Sequence, residues 1–282
     1  MKISARENRG NFIKPFTFQR GYVSGCDFQI DLAEGCKYNC AYCFLNHYLG
    51  HSELRNYTNI DNLTEELDNS DADFFNCSVL TDGSILADKT EMMTSFFKVA
   101  DKFPKKSFEI RFKHSSVIKL LKLNPPKNII FSATLTGRSI NSYLEGGTSA
   151  LKERIEILER FGNHGYSIGG VMDPVIIYEG WEDEYRELAA LLKKTGPLAF
   201  LGIGLLRLEN TIYNSFLERV IQSPLKGKLK GEMVRTQDNK FRYFFPLREK
   251  VYRKIIGIMN EVEKKRTILY MEREDVGKKL LS

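Results

Sequence analysis

Three of the chain's five cysteines, Cys36, Cys40 and Cys43, lie within eight residues, in the spacing C-x3-C-x2-C with Tyr42 directly before the last. Closely spaced cysteine thiolates are how proteins hold iron–sulfur clusters. Three of them on one short loop can ligate three irons of a [4Fe-4S] cubane. The fourth iron is then left without a protein ligand and open to a cofactor. Two other uses of these thiols stay open on the residues alone. One is a structural zinc site completed by His47, since thiolate and imidazole suit tetrahedral zinc; the other is a set of buried cysteines with no ligand. The odd cysteine number in a long, otherwise cysteine-poor chain speaks against a disulfide framework.

A ligand loop needs elements to hold it. Phe28-Gln29-Ile30-Asp31-Leu32 alternates apolar and polar, the pattern of a strand, and leads directly into the cysteines; a helix is expected from Leu45 to Leu49. The chain then alternates. Helix Leu63–Leu67, capped by Asp61 or Asn62, precedes strand Asn76–Leu80; helix Asp88–Phe103 precedes strand Phe108–Phe112. Helix Ser115–Leu123 is stopped by Pro125-Pro126 before strand Ile129–Ser132. Helix Ser149–Phe161, the apolar stretch Tyr166–Ile177, helix Glu182–Lys194 and strand Leu198–Leu206 follow. Strands alternating with helices predict a parallel sheet of βαβ units. Six units closing partway round give a partial (β/α)6, TIM-like barrel. In such folds chemistry sits on loops at the C-terminal strand ends. The cysteine loop, Thr81-Asp82, Lys113 and Ser132 all fall at such ends.

After about residue 207 the alternation is expected to stop, giving a C-terminal β-hairpin and helical extension. Helix Thr211–Ile221 is followed by a hairpin turning at Asp238-Asn239. Arg235, Lys240 and Arg242 on that hairpin, beside aromatics, suit contact with a phosphate backbone and bases; a solvated hairpin covering the barrel's open edge is the other reading. Helix Arg248–Lys264 and a polar tail complete this part. The expected organisation is an N-terminal extension over 1–23, the barrel over 24–210 and the C-terminal extension over 211–282. Residues 1–20 interleave Arg6, Arg9, Lys14 and Arg20 with Phe12, Phe16 and Phe18, as an arm packed over the core or touching nucleic acid.

Bulk properties narrow the class. With 282 residues and 42% hydrophobic content, the chain can bury a large core. The net charge of +6 is compatible with a polyanionic partner. No apolar run of about 18 residues predicts a membrane span, and Met1–Arg9 lacks the apolar core of a secretory signal. Free thiols point to a reducing, cytoplasmic location.

These residues together resemble the spore photoproduct lyases, radical S-adenosylmethionine (SAM) enzymes that repair a thymine–thymine lesion in DNA. C-x3-C-x2-C is the signature of the radical SAM class. Glu145-Gly146-Gly147-Thr148-Ser149 with Arg154, Glu179-Gly180-Trp181 with Tyr185, and the hairpin followed by Lys250-Val251-Tyr252 are similar to further family stretches. The resemblance implies that Cys36, Cys40 and Cys43 ligate the cluster. It implies that Lys113 and Ser132, with Thr81 in place of a serine, hold the methionine end of SAM, Lys113 through a charge-assisted contact to its carboxylate. Tyr42 matches a tyrosine implicated in radical transfer. The implied reaction is reductive cleavage of SAM to a 5′-deoxyadenosyl radical that abstracts hydrogen from DNA, with electrons from a donor such as flavodoxin or ferredoxin.

One position departs from the family. Its hydrogen-donating cysteine aligns with Val79. Cys77 lies two residues earlier, on the same expected strand face and about 6–7 Å back along it. It can be read as a substitute donor or as a buried apolar cysteine; Cys26 reads as a buried thiol. The departure leaves radical chemistry untouched and opens a second reading, a radical SAM enzyme acting on a modified nucleotide or a peptide. A zinc-containing nucleic-acid-binding protein is the non-enzymatic alternative.

Overall fold

A computed structural model describes residues 2–16, 21–26, 28–45 and 53–281. The expected Leu45–Leu49 helix, beyond Leu45 itself, lies outside them, as do His47, Phe18 and Arg20.

The six strands read from sequence form consecutive neighbours in one parallel sheet. In order these are Phe28–Ile30, Phe74–Asn76, Ser107–Phe112, Ile129–Thr134, Ser167–Val175 and Phe200–Leu205. Two strands not anticipated extend it to eight. Ile13–Pro15 pairs antiparallel with the first, so the N-terminal residues add an edge strand. Thr267–Leu269 pairs in parallel with Phe200–Leu205, so the chain's end returns to the barrel. Its three-residue length, inside what reads as a polar tail, is why periodicity misses it.

Burial explains the strand compositions. Every residue of Ile129–Thr134 and Phe200–Leu205 is buried, as befits parallel strands covered on both faces. Phe108, Ile110 and Phe112 point outward under the helices. Phe108 meets Phe96 edge-on at 5.7 Å, and Phe131 stacks on Phe161 of helix Leu151–Asn163 at 3.7 Å. The alternate residues face the barrel interior, where Ile130, Val171, Phe200 and Tyr270 form a separate apolar cluster. Tyr270 follows the last strand and reaches across to Gly25, just before the first, which closes the curled sheet. Gly202 has no side chain because a Cβ there would sit 2.1 Å from the Tyr270 ring.

Several expectations need correction. The second strand ends at Asn76, so Cys77 to Leu80 are not strand. Ser115–Leu123 is a 3-10 helix. Helix Leu63–Asp68 continues from a 3-10 turn, and neither that turn nor Asn62 supplies a side-chain cap. The hairpin forms from Met233–Arg235 and Lys240–Tyr243, and only Asn239 in its turn has positive φ. Arg207–Glu209 joins it as a third strand. No helix among the described residues is long and apolar enough to cross a membrane.

Candidate active site

The cysteine loop is braced on three sides. Gly35 opens it at φ +104°, where a Cβ would lie 2.5 Å from the Glu53 carbonyl, so only glycine fits. From a second side, Gly35 N–H donates to the Leu80 carbonyl at 2.8 Å and the Thr81 hydroxyl donates to the Gly35 carbonyl at 2.8 Å. On the third, Asn39-Cys40 pairs antiparallel with Glu145-Gly146, and Ala41 N–H donates to the Leu144 carbonyl at 2.8 Å. Arg219 adds a 2.7 Å bond to Asn39 Oδ1.

Cys36, Cys40 and Cys43 gather in a small cluster with Tyr38, Leu54 and Ile85, apart from the main core. Burial pushes Cys36 well above the ordinary thiol range and Cys40 up to about 12. Metal binding by such thiols releases their protons. Among the described residues no three such side chains are gathered so as to hold a metal ion. A cubane asks for something different, because each thiolate takes its own iron and the sulfurs spread around the cluster. Three thiols on one loop, half-buried at Cys36 and Cys43 and shielded by apolar neighbours, fit that donor set. The fourth ligand of the zinc alternative, His47, is outside the described residues.

Behind the loop stands a buried charge constellation. Glu145, fully buried, accepts from Lys113 Nζ at 2.7 Å, from Arg154 Nη2 at 2.6 Å, from Asn141 Nδ2 at 3.2 Å and from the Tyr42 hydroxyl. Lys113 Nζ also lies 2.8 Å from the Tyr42 oxygen. Burial opposes the Glu145 charge, but Arg154 and Lys113 hold its carboxyl below the usual range. Burial likewise opposes the Lys113 charge, and Glu145 more than offsets it. Two cations against one carboxylate leave a net positive charge, able to attract an anionic group. The Glu145–Ser149 stretch also makes sense here. Gly147 turns at φ +83°, and Thr148 Oγ1 and the Ser149 carbonyl both accept from Arg154.

A cavity of about 740 Å³ opens beside the loop. Its walls include Tyr42, Cys43 and Phe44 of the loop, Val79 and Leu80, and Asp173 and Arg207 at the far strand ends. Lys240 of the hairpin completes them. Asp173 and Arg207 form a two-bond ion pair at 2.6 and 2.8 Å. In sequence, Asp173 interrupts the apolar stretch Tyr166–Ile177 and Arg207 ends the run Leu198–Leu206, a signal that each charge needs a partner.

Not every expected residue reaches this cavity. Ser132 is buried and donates to Glu109, which also binds Arg111 and Asn76, so its hydroxyl serves the barrel interior. Thr81 is spent on the Gly35 carbonyl. Cys77 is buried at 1% exposure in the main core, whereas Val79 lines the cavity. On the hairpin, Arg235 is exposed and bonds Asn239, and Lys240 pairs with Glu209 at 3.3 Å. Arg242 is a correction to the phosphate-contact expectation. It is buried, pairs with Asp238, donates to the Met271 carbonyl at 2.9 Å and stacks over Tyr22. Its charge is consumed inside the fold.

An open parallel α/β barrel with three cysteines on the loop after its first parallel strand is the build of a radical SAM protein. Its family is equally plain. The sequence profile of the spore photoproduct lyase family matches residues 13–231, and the chain belongs to that family. A spore photoproduct lyase of Clostridium acetobutylicum is 30% identical over 175 residues, covering 57% of this chain and 50% of that protein. The chain thus spans about half the length of the curated relatives it matches. A spore photoproduct lyase mutant solved with dinucleoside spore photoproduct superposes with a TM-score of 0.78 at 18% identity, covering 94% of this chain and 81% of that one. A further mutant, solved with bound AdoMet and dinucleoside spore photoproduct, gives 0.77 at 18% identity over the same shares. At that identity these two matches speak for the fold.

Proposed function

We propose that this protein is a radical SAM enzyme that acts on DNA in the manner of spore photoproduct lyase. Cys36, Cys40 and Cys43 would hold a [4Fe-4S] cluster. When bound, the cluster and SAM together supply a carbon radical that abstracts hydrogen from substrate. The observation that carries the reading is the shared cavity, into which the cysteine loop, Val79 and the hairpin's Lys240 all face. The neighbour solved with AdoMet and a lesion analogue supports it.

The chain's own residues have definable tasks. Lys113, in a group that carries one net positive charge beside the loop, would hold the carboxylate of SAM. Tyr42 has its hydroxyl fixed by Glu145 and Lys113 and its ring on the cavity wall. Thr81 acts at one remove, by holding Gly35, and Ser132 by holding Glu109. Phe44, Leu80 and Ile212 give the cavity apolar walls that limit water around a reactive radical. Extruding a damaged, poorly stacked base pair costs less than extruding an intact one, and the exposed Arg235 and the Lys240 rim offer phosphate contacts.

A second reading, the same chemistry on a modified nucleotide or peptide, draws on Val79. An apolar side chain lines the cavity where the family places its hydrogen donor. One experiment tests both. Reduced protein is incubated anaerobically with SAM and ultraviolet-treated spore-type DNA. Loss of the lesion together with 5′-deoxyadenosine formation supports the repair reading; SAM cleavage with the lesion intact rejects it in favour of the second.

A further inference from the structure

We propose that Glu145 is a positioning residue that locks the cysteine loop in register with Lys113. The reading rests on two contacts of different kinds. Its backbone pairs with Cys40 in the short ladder Glu145-Gly146 to Asn39-Cys40. Its side chain reaches both Tyr42, between the last two cysteines, and Lys113, at the end of strand Ser107–Phe112. One residue thus ties the loop to the neighbouring strand end by main chain and carboxylate at once.

The arrangement is built to keep that carboxylate ionised. Arg154 is fully buried and approaches Oε2 at 2.6 Å, while Lys113 and Tyr42 take Oε1. Arg154 is fixed in turn by the Thr134 carbonyl at 2.7 Å, the Ser149 carbonyl at 3.0 Å and Thr148 Oγ1 at 2.7 Å. A buried charge of this kind is stable only when fully paired. Replacing Glu145 with a neutral group would leave Lys113 and Arg154 facing each other and free Tyr42, so the loop would lose its register against the lysine.

The test uses two readouts, only one of which depends on the proposed function. In the metal-free protein, iodoacetamide labelling is followed cysteine by cysteine with peptide mass spectrometry. Glu145→Gln is expected to speed labelling of Cys40 and Cys43 about tenfold, the scale of a lost charged hydrogen bond. Cys26 and Cys77, buried elsewhere, should keep their native rates as internal controls. Glu145→Asp, which retains the charge, should restore most of the protection. Equal acceleration at all five cysteines, or none at Cys40 and Cys43, would overturn the proposal.

Should Glu145→Gln fail to fold, Tyr42→Phe decides on the same ratio. It removes one hydroxyl, and about threefold faster labelling at the loop alone is expected. In reconstituted protein, Glu145→Gln should raise the KM for SAM. A protein that takes up no iron would defeat the proposed function, and the labelling arm would still decide the role of Glu145.

Discussion

Glu145 meets Cys40 across a two-residue antiparallel ladder while its carboxylate accepts from Lys113 at 2.7 Å. One residue therefore ties the thiol loop to Lys113. Such preorganisation is what allows a site to align reacting groups without a rearrangement at each turnover.

Lys113 is the first residue to test. Lys113→Met removes the cation that faces the loop and leaves the cysteines in place. The KM for SAM should rise about 10–100-fold, the scale of a charge-assisted contact, with iron per chain unchanged. Loss of iron in this variant would mean that Lys113 serves the loop's fold and not the cofactor.

Gly35 carries a backbone requirement. Gly35→Ala forces an L-residue into φ +104° and a Cβ against the Glu53 carbonyl. A cost of about 1–3 kcal/mol is expected. Because the strain falls one residue before Cys36, iron uptake should drop along with the melting temperature. A variant as stable as the native protein would contradict the described turn.

The ion pair of Asp173 with Arg207 gives a pH signature. Burial disfavours the Asp173 charge, but Arg207 holds its pKa below the usual 3.8. A depressed carboxylate contributes stability that is present above the unfolded value and lost as pH falls through the folded one. Arg207→Leu leaves Asp173, a largely buried carboxylate, without its partner, so it should cost about 3–5 kcal/mol at neutral pH. The gap in melting temperature from the native protein should narrow as pH is lowered toward the carboxylate range, where Asp173 in the variant takes up a proton. A gap independent of pH would show that the pair adds no charge-dependent stability.

Val79 and Cys77 can be separated by exchange. Val79→Cys places a thiol on the cavity wall and should change the product distribution of the radical reaction. Cys77→Ala should leave that distribution unchanged, because Cys77 is buried in the core and absent from the cavity walls. The reverse result would restore Cys77 as the hydrogen donor.

Much of this was legible in the sequence because it rests on local pattern. The six parallel strands announce themselves through apolar runs such as Ile129–Ser132 and Leu198–Leu206, and the cysteines through spacing. What was missed depends on contacts between distant segments. Ser132 and Arg242 carry the right chemistry for ligand contact, yet Glu109 of the neighbouring strand claims Ser132, and Asp238 together with the distant Met271 carbonyl claims Arg242. Cys77 follows a strand that stops at Asn76, so it belongs to neither strand face. The strand Thr267–Leu269 is too short for periodicity and forms only because the Phe200–Leu205 strand offers it an edge. Glu145 stood in a recognised stretch, but its partners come from residues 42, 113, 141 and 154.

The central claim is that the Cys36, Cys40 and Cys43 loop supports radical cleavage of SAM. Anaerobically purified and reconstituted protein, reduced and given SAM, should contain about four irons per chain and release 5′-deoxyadenosine and methionine. Ultraviolet-treated DNA should increase that release, and Cys40→Ala should abolish both iron and product. A colourless protein that carries zinc on these cysteines and leaves SAM intact would contradict the account.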